Sequence, residues 1–145
     1  MTAVRGKLRR LVVRRAENRC EYCGLSQDGQ EATFHVDHIV PETADGKTEA
    51  ENLALACVSC SLYKGARMRG VDPESGAEVP LYNPRAHDWR RHFVWDGVHI
   101  VGRTRIGRAT IAVLRMNRPL ILAIRMEEAE RRPQAPAADS AGREL

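Results

Sequence analysis

The sequence predicts an α+β fold pinned between two pairs of cysteines. Three observations carry that expectation. Short β-rich runs alternate with stretches of helical periodicity. Two CxxC pairs, Cys20/Cys23 and Cys57/Cys60, stand 33 residues apart. An Asp96-Gly97 step separates the runs "HFVW" and "VHIVG", which is a strong short-range hairpin signal. The chain has 145 residues, enough for one domain of ordinary size with its own core.

Taken in order, Val4, Leu8, Leu11 and Val12 recur at i, i+4, i+7 and i+8. They form one apolar stripe of a helix running to about Asn18. Cys20 to Cys23 then makes a tight turn. "ATFHVDHIV" (32–40) alternates and is rich in β-branched residues, so it reads as a strand. Pro41 and Asp45-Gly46 break the chain into a loop, and "LALA" (53–56) is a second short strand. A short helix follows "CVSC" and stops at Lys64-Gly65.

The segment 68–85 is full of turn formers and reads as a long hairpin-like loop. After the Asp-Gly hairpin, Thr104 is a good N-cap for "RIGRATIAVLRM", whose Ile111 and Leu114 give an apolar face. Asn117-Arg118-Pro119 ends that helix and "LILAIRMEEAERR" starts another. From Pro133 the tail is Pro/Ala-rich and reads as disordered. The expected organisation is a core with its N-terminal helix (1–67), an extension packed on it (68–132) and the tail (133–145).

Composition excludes some classes. No apolar run approaches the roughly 18 residues a spanning helix needs. The basic N-terminus lacks the uninterrupted apolar region of a signal peptide, so a cytoplasmic location is expected, with no membrane partner. Charge is unevenly spread. Residues 1–19 carry seven Lys/Arg and one acid, residues 20–60 one Lys and eight acids, and residues 61–145 fifteen Lys/Arg and ten acids. An acidic centre between basic flanks suits a cation site whose surroundings hold a polyanion. Solvated surface charge accounts for the same pattern equally well.

In a cytoplasmic chain, doubled CxxC pairs are metal ligands rather than disulfides. Two intervening residues form a knuckle that aims both sulfurs at one point. Two knuckles supply the four thiolates of a tetrahedral zinc site. Four cysteines leave no open position, so Cys20, Cys23, Cys57 and Cys60 predict a structural Zn2+ and not a catalytic one.

Any second, functional metal needs other ligands, and the candidates lie between and beside the knuckles: His35, Asp37, His38, Asn52 and Ser61. Here the chain resembles the HNH endonuclease family of zinc-knuckle, ββα-metal type. "RCEYCG", "VDHIVP", "ENLALAC", "CVSC" and Lys64-Gly65 carry the resemblance, in that order, over about Arg15 to Gly65. It implies two antiparallel strands and a helix around one divalent cation, Mg2+ or Mn2+, and hydrolysis of DNA phosphodiester bonds, with double-stranded DNA as partner. By the same resemblance His38 is the general base, Asp37 the cation ligand and Asn52 the brace that fixes the loop orienting His38. Histidine suits base chemistry near neutral pH, and a carboxylate suits hard cations.

One position departs from the family. Its third residue, a His or Asn on the helix, is Ser61 here. A Ser hydroxyl can contact magnesium directly or through water. His35, two residues before Asp37 on a strand, shares its face and is a further ligand or phosphate contact. Lys64, Arg67 and Arg69 are candidate phosphate contacts. Nothing among these residues reads bases, so no sequence specificity is implied.

The part after Gly65 is similar to an extension carried by many bacterial stand-alone HNH proteins. Between Arg85 and Arg125 it holds nine arginines and two acids, interleaved with Trp89, Phe93 and Trp95. The arginines fit nucleic-acid contact, and the aromatics fit packing of the hairpin on the helices. Two functions are therefore expected to compete: a DNA endonuclease, and a non-catalytic zinc-stapled nucleic-acid binder in which Ser61 marks lost catalysis. An RNA-directed protein is a third, weaker alternative.

Overall fold

The computed structural model describes residues 3–131. The tail expected to be disordered lies outside the described residues. The order of elements is α1 (Gly6–Arg15), β1 (His35–His38), β2 (Leu53–Ala56), α2 (Val58–Lys64), β3 (Arg69–Val71), β4 (Glu78–Pro80), α3 (Trp89–His92), β5 (Phe93–Asp96), β6 (His99–Gly102), α4 (Arg105–Leu114) and α5 (Pro119–Arg131). Among these residues the strands form three separate two-stranded antiparallel sheets, β1–β2, β3–β4 and β5–β6. The fold is α+β.

The β1–β2 hairpin is the centre. His35 pairs with Ala56, Asp37 with Ala54 and His38 with Leu53. All four residues of β2 are buried, so both its faces are covered. Alternation places His35, Asp37, Ala54 and Ala56 on one face, and Val36, His38, Leu53 and Leu55 on the other. α2 packs on the first face, where Ser61 meets both His35 and Asp37. α1 lies against β2.

The free edge of β2 is sealed by side chains. Leu53 O accepts from Arg15 Nη2 at 2.7 Å and from Arg85 Nη1 at 3.0 Å. Leu55 N donates to Glu21 Oε2 at 2.9 Å, and Leu55 O accepts from the Glu21 amide at 2.8 Å. An open edge would otherwise offer these groups to another strand. Arg85 also ion-pairs with Glu21, so a residue of the extension completes the hairpin.

Several elements differ from expectation. The first strand is shorter than residues 32–40, because Phe34 N is taken by the Gln27 side chain and Ile39 N by Asn52 O. α1 ends at Arg15, and Leu11 is exposed on it; Val12 is its buried residue, with Leu8 and Val13 packed behind. α2 begins inside "CVSC", with Cys57 as its N-cap. The hairpin-like segment after Met68 does hold a hairpin, β3–β4, whereas α3 precedes β5 unannounced by any periodicity in its four residues.

α4 joins the halves, packing on α2, β3, β4 and β6. Thr104 caps it, its hydroxyl accepting from Gly107 N at 3.0 Å. Gly107 is required by close approach: a Cβ there would stand 2.1 Å from His92 O. Pro119 opens α5, a position where the missing N–H costs nothing. The tryptophans split. Trp89 packs on Phe93 and donates from Nε1 to Tyr22 O at 2.8 Å. Trp95 is exposed, with Trp89 against its ring and the Arg125 guanidinium 5.0 Å from its centre.

Candidate metal centre and hydrolytic site

The four cysteines converge. Their sulfurs all lie within 4.8 Å of one another and all four residues are buried. Among the described residues this is the one group of three or more His, Cys, Asp or Glu side chains able to hold a metal. Each knuckle closes on itself: Cys23 N donates to Cys20 Sγ, and Cys60 N to Cys57 Sγ, both at 3.4 Å. A ZnS4 tetrahedron with bonds of about 2.3 Å has sulfurs roughly 3.8 Å apart. Cys23 Sγ and Cys57 Sγ stand 3.7 Å apart, so the donors fit zinc.

The four thiols are not alike. Burial pushes Cys20 well up and hydrogen bonds with the other cysteines push Cys60 up, while hydrogen bonds from Cys20, Cys23 and Cys60 pull Cys57 down. A cation held among the sulfurs would favour the thiolate form of all four. Arg118 supports them from the extension, its Nη2 lying 3.9 Å from Cys57 Sγ. Burial opposes the Arg118 charge, but the sulfurs of Cys60, Cys57 and Cys23 outweigh it and raise the pKa.

Around β1 a second group forms. Ser61 Oγ donates to Asp37 Oδ1 at 3.0 Å. His35 Nδ1 lies 2.8 Å from the same hydroxyl. Since the Ser61 proton goes to Asp37, the His35 ring must be the donor to Ser61. His35, Asp37 and Ser61 are thus brought together, from two elements, as one cluster of nitrogen and oxygen donors.

His38 is 7% exposed, and its Nε2 lies 2.8 Å from Thr48 Oγ1. The chain at and just after it is held twice. The Asn52 side chain accepts from Val40 N at 2.9 Å and donates to Val40 O at 3.0 Å and Lys47 O at 2.9 Å. The Lys64 ammonium donates to His38 O and Ile39 O, both at 3.3 Å. Gly46 lets the loop fold back on itself, since a Cβ there would stand 1.7 Å from Val40 O. That return brings Thr48 to His38. A cavity of about 170 Å³ opens beside them, lined by Asp37, His38, Pro41, Glu42, Thr43, Gly65 and Ala66.

Lys64 corrects an expectation. The sequence suggests a surface ammonium that meets a phosphate, yet Lys64 is 2% exposed and its ammonium is used on backbone carbonyls. Burial lowers its pKa, and the nearby Asp37 carboxylate opposes that shift. Arg67 is exposed, next in sequence to the cavity-lining Ala66. Arg69 is also exposed and faces Glu78 at 3.6 Å. Sequence reasoning missed Thr48 altogether; a threonine in a loop carries no local signal. It also missed the clamping use of Lys64, for which the position before a helix-ending Gly65 was the available clue.

Compared with protein-family models, residues 20–67 match the one described as HNH endonuclease. The match places an HNH endonuclease domain at these residues. The matched span runs from the first knuckle through β1, β2 and α2 to Arg67, and so contains every residue of both clusters. No curated protein and no solved structure matches the chain. No helix of the described residues is long and apolar enough to cross a membrane.

Proposed function

We propose that the HNH domain is a metal-dependent endonuclease that hydrolyses DNA phosphodiester bonds, with duplex DNA as substrate. The observation that carries this reading is the Asp37–Ser61–His35 cluster beside a buried His38, whose carbonyl is held by Lys64 and whose following loop is braced at Val40 by Asn52. Its oxygen and imidazole donors fit a hard or borderline divalent cation such as Mg2+ or Mn2+. Held there, a cation would supply the positive charge that polarises a scissile phosphate and stabilises the leaving oxygen.

The chain's own residues then divide the work. Asp37 is the charged ligand, with Ser61 and His35 as neutral ones. His38 takes the proton from water at Nδ1, its Nε2 being engaged by Thr48. Asn52 and Lys64 fix the backbone from which His38 projects, which keeps the ring in reach of the nucleophile. Arg67 and Arg69 meet flanking phosphates as positioning contacts without base readout. The four cysteines hold structural zinc, and the extension that begins at residue 68 seals β2 through Arg85 and supports the knuckles through Arg118. The protein acts in the cytoplasm.

A second reading is favoured by one observation, the serine at position 61 where the family carries His or Asn. It makes the chain a zinc-stapled nucleic-acid binder without catalysis. Plasmid nicking with Mg2+ or Mn2+, wild type against His38→Ala, separates the two. Intact plasmid with every divalent ion, from protein carrying its zinc, leaves the binder reading standing. Nicking that His38→Ala retains in full defeats the assigned mechanism.

A further inference from the structure

We infer that the solvent face of α1 is the surface on which the duplex docks, holding the phosphates of one strand alongside the β1–β2 hairpin. The inference rests on the DNA reading above and assigns it a place. α1 carries two classes of arginine. Arg9 and Arg15 face inward: Arg9 Nη2 donates to Phe34 O at 3.0 Å, and Arg15 donates to Ala50 O and Leu53 O at 3.0 and 2.7 Å. Lys7, Arg10 and Arg14 recur at i, i+3 and i+7, which puts them on one face. All three are exposed and form no ion pair with a described residue.

The inward arginines fix where that face lies. Phe34 immediately precedes β1, and Leu53 is the partner of His38 at its far end. α1 therefore lies along the β1–β2 hairpin on its β2 side, with Arg9 at the start of β1 and Arg15 at the start of β2. At about 1.5 Å of rise per residue, Lys7 and Arg14 are roughly 10 Å apart. One DNA strand presents a phosphate about every 3.4 Å of axis, so the stripe covers about three.

A membrane surface fits worse. A basic amphipathic helix binds lipid through a free apolar face. Here Val12 is buried, Leu8 and Val13 pack on the core, and only Leu11 is left exposed. The exposed Trp95 ring is a weaker nucleic-acid surface, because Trp89 and Arg125 already pack against it.

The test uses the full chain with zinc bound and the His38→Ala exchange, so that duplex is not consumed. Binding of a labelled 30-base-pair duplex is followed by anisotropy across a salt series. Lys7→Gln, Arg10→Gln and Arg14→Gln together are expected to weaken binding at least about tenfold and to lower the log–log salt slope by about 2 to 3, near 0.9 for each phosphate left without its cationic partner. Each single exchange should lower it by about 0.9. The charge-preserving set Lys7→Arg, Arg10→Lys and Arg14→Lys should bind like the parent. Unchanged affinity and slope in the neutral set overturn the inference, as does equal weakening in the charge-preserving set. Binding to phosphatidylserine vesicles without binding to duplex overturns it too. Plasmid left uncut by the wild type while duplex is still held through the stripe defeats the nuclease reading and supports this one.

Discussion

The Ser61 hydroxyl donates to the Asp37 carboxylate across 3.0 Å, and His35 Nδ1 meets the same hydroxyl at 2.8 Å. A helix residue thus links two residues of one strand face. The short Ser side chain does not replace an amide or imidazole by itself. His35, two positions along the strand, brings an imidazole to the same place.

That linkage sets the first expectation. Ser61→Ala should slow plasmid nicking about 10- to 100-fold, the usual cost of removing a group that orients a metal ligand. Ser61→Asn, which restores the family's residue type, should keep or raise the rate. His35→Ala should weaken Mn2+ binding, read by calorimetry independently of cleavage. Unchanged Mn2+ affinity in His35→Ala removes His35 from the ligand set.

His38 and Thr48 form the second. His38→Ala should lower the nicking rate by about 10² to 10⁴, the range for a missing general base. Thr48→Val frees the ring while leaving the base chemistry in place, and should cost up to about a hundredfold through misplacement. Thr48→Ser, which keeps the hydroxyl, should behave like the wild type.

The zinc site gives the third. Cys57→Ser should release zinc and abolish the cooperative thermal transition, because binding energy at such a site is folding energy. Arg118→Ala should keep the fold but weaken zinc about 10- to 100-fold, measured by competition with a chelator. An Arg118→Ala protein that holds zinc as tightly as the wild type shows that the guanidinium gives the sulfurs no support.

Sealing of β2 gives the fourth. Arg85→Ala leaves Glu21 half-paired in a site where its side chain is 11% exposed. A destabilisation of about 3 kcal/mol is expected, near the lower end for breaking a buried pair. The Leu55 amide, bonded to Glu21, should exchange its hydrogen faster. Arg85→Lys should recover only part, since one ammonium cannot reach Leu53 O and Glu21 with the geometry of a guanidinium.

The fifth concerns pH. His92 is buried, with Nδ1 2.6 Å from Thr104 Oγ1, and burial, then His87 and Arg91, lower its pKa. A folded-state pKa below the unfolded value means that the unfolded chain binds the proton first. Stability should therefore fall as pH drops from about 6.5, the ordinary histidine value, toward the folded pKa. Melting temperature against pH should lose that limb in His92→Gln. A limb that persists unchanged assigns it to other groups.

Local pattern carried much of this molecule. The CxxC spacing, the run "LALA", the Asp-Gly hairpin and the Thr104 cap are each decided within a few residues, by knuckle geometry, strand propensity, turn conformation and a capping hydroxyl. All four stand in the structure where the sequence placed them. Helix ends were less legible: the stripe predicts a helix to about Asn18, but α1 stops at Arg15, and just beyond it Glu17 and Asn18 take positive φ.

What the sequence by itself determined is which donors exist and that the four cysteines are spaced to hold a metal. Only the tertiary structure decided that Lys64 clamps the His38 backbone, that Thr48 meets the ring, that Arg85 closes β2 and that Arg118 backs the sulfurs. The reason is physical. Each of these contacts joins groups far apart in the chain, and their pairing is fixed by desolvation: a buried carbonyl, thiolate or carboxylate must find a donor, and the fold determines which one is within reach.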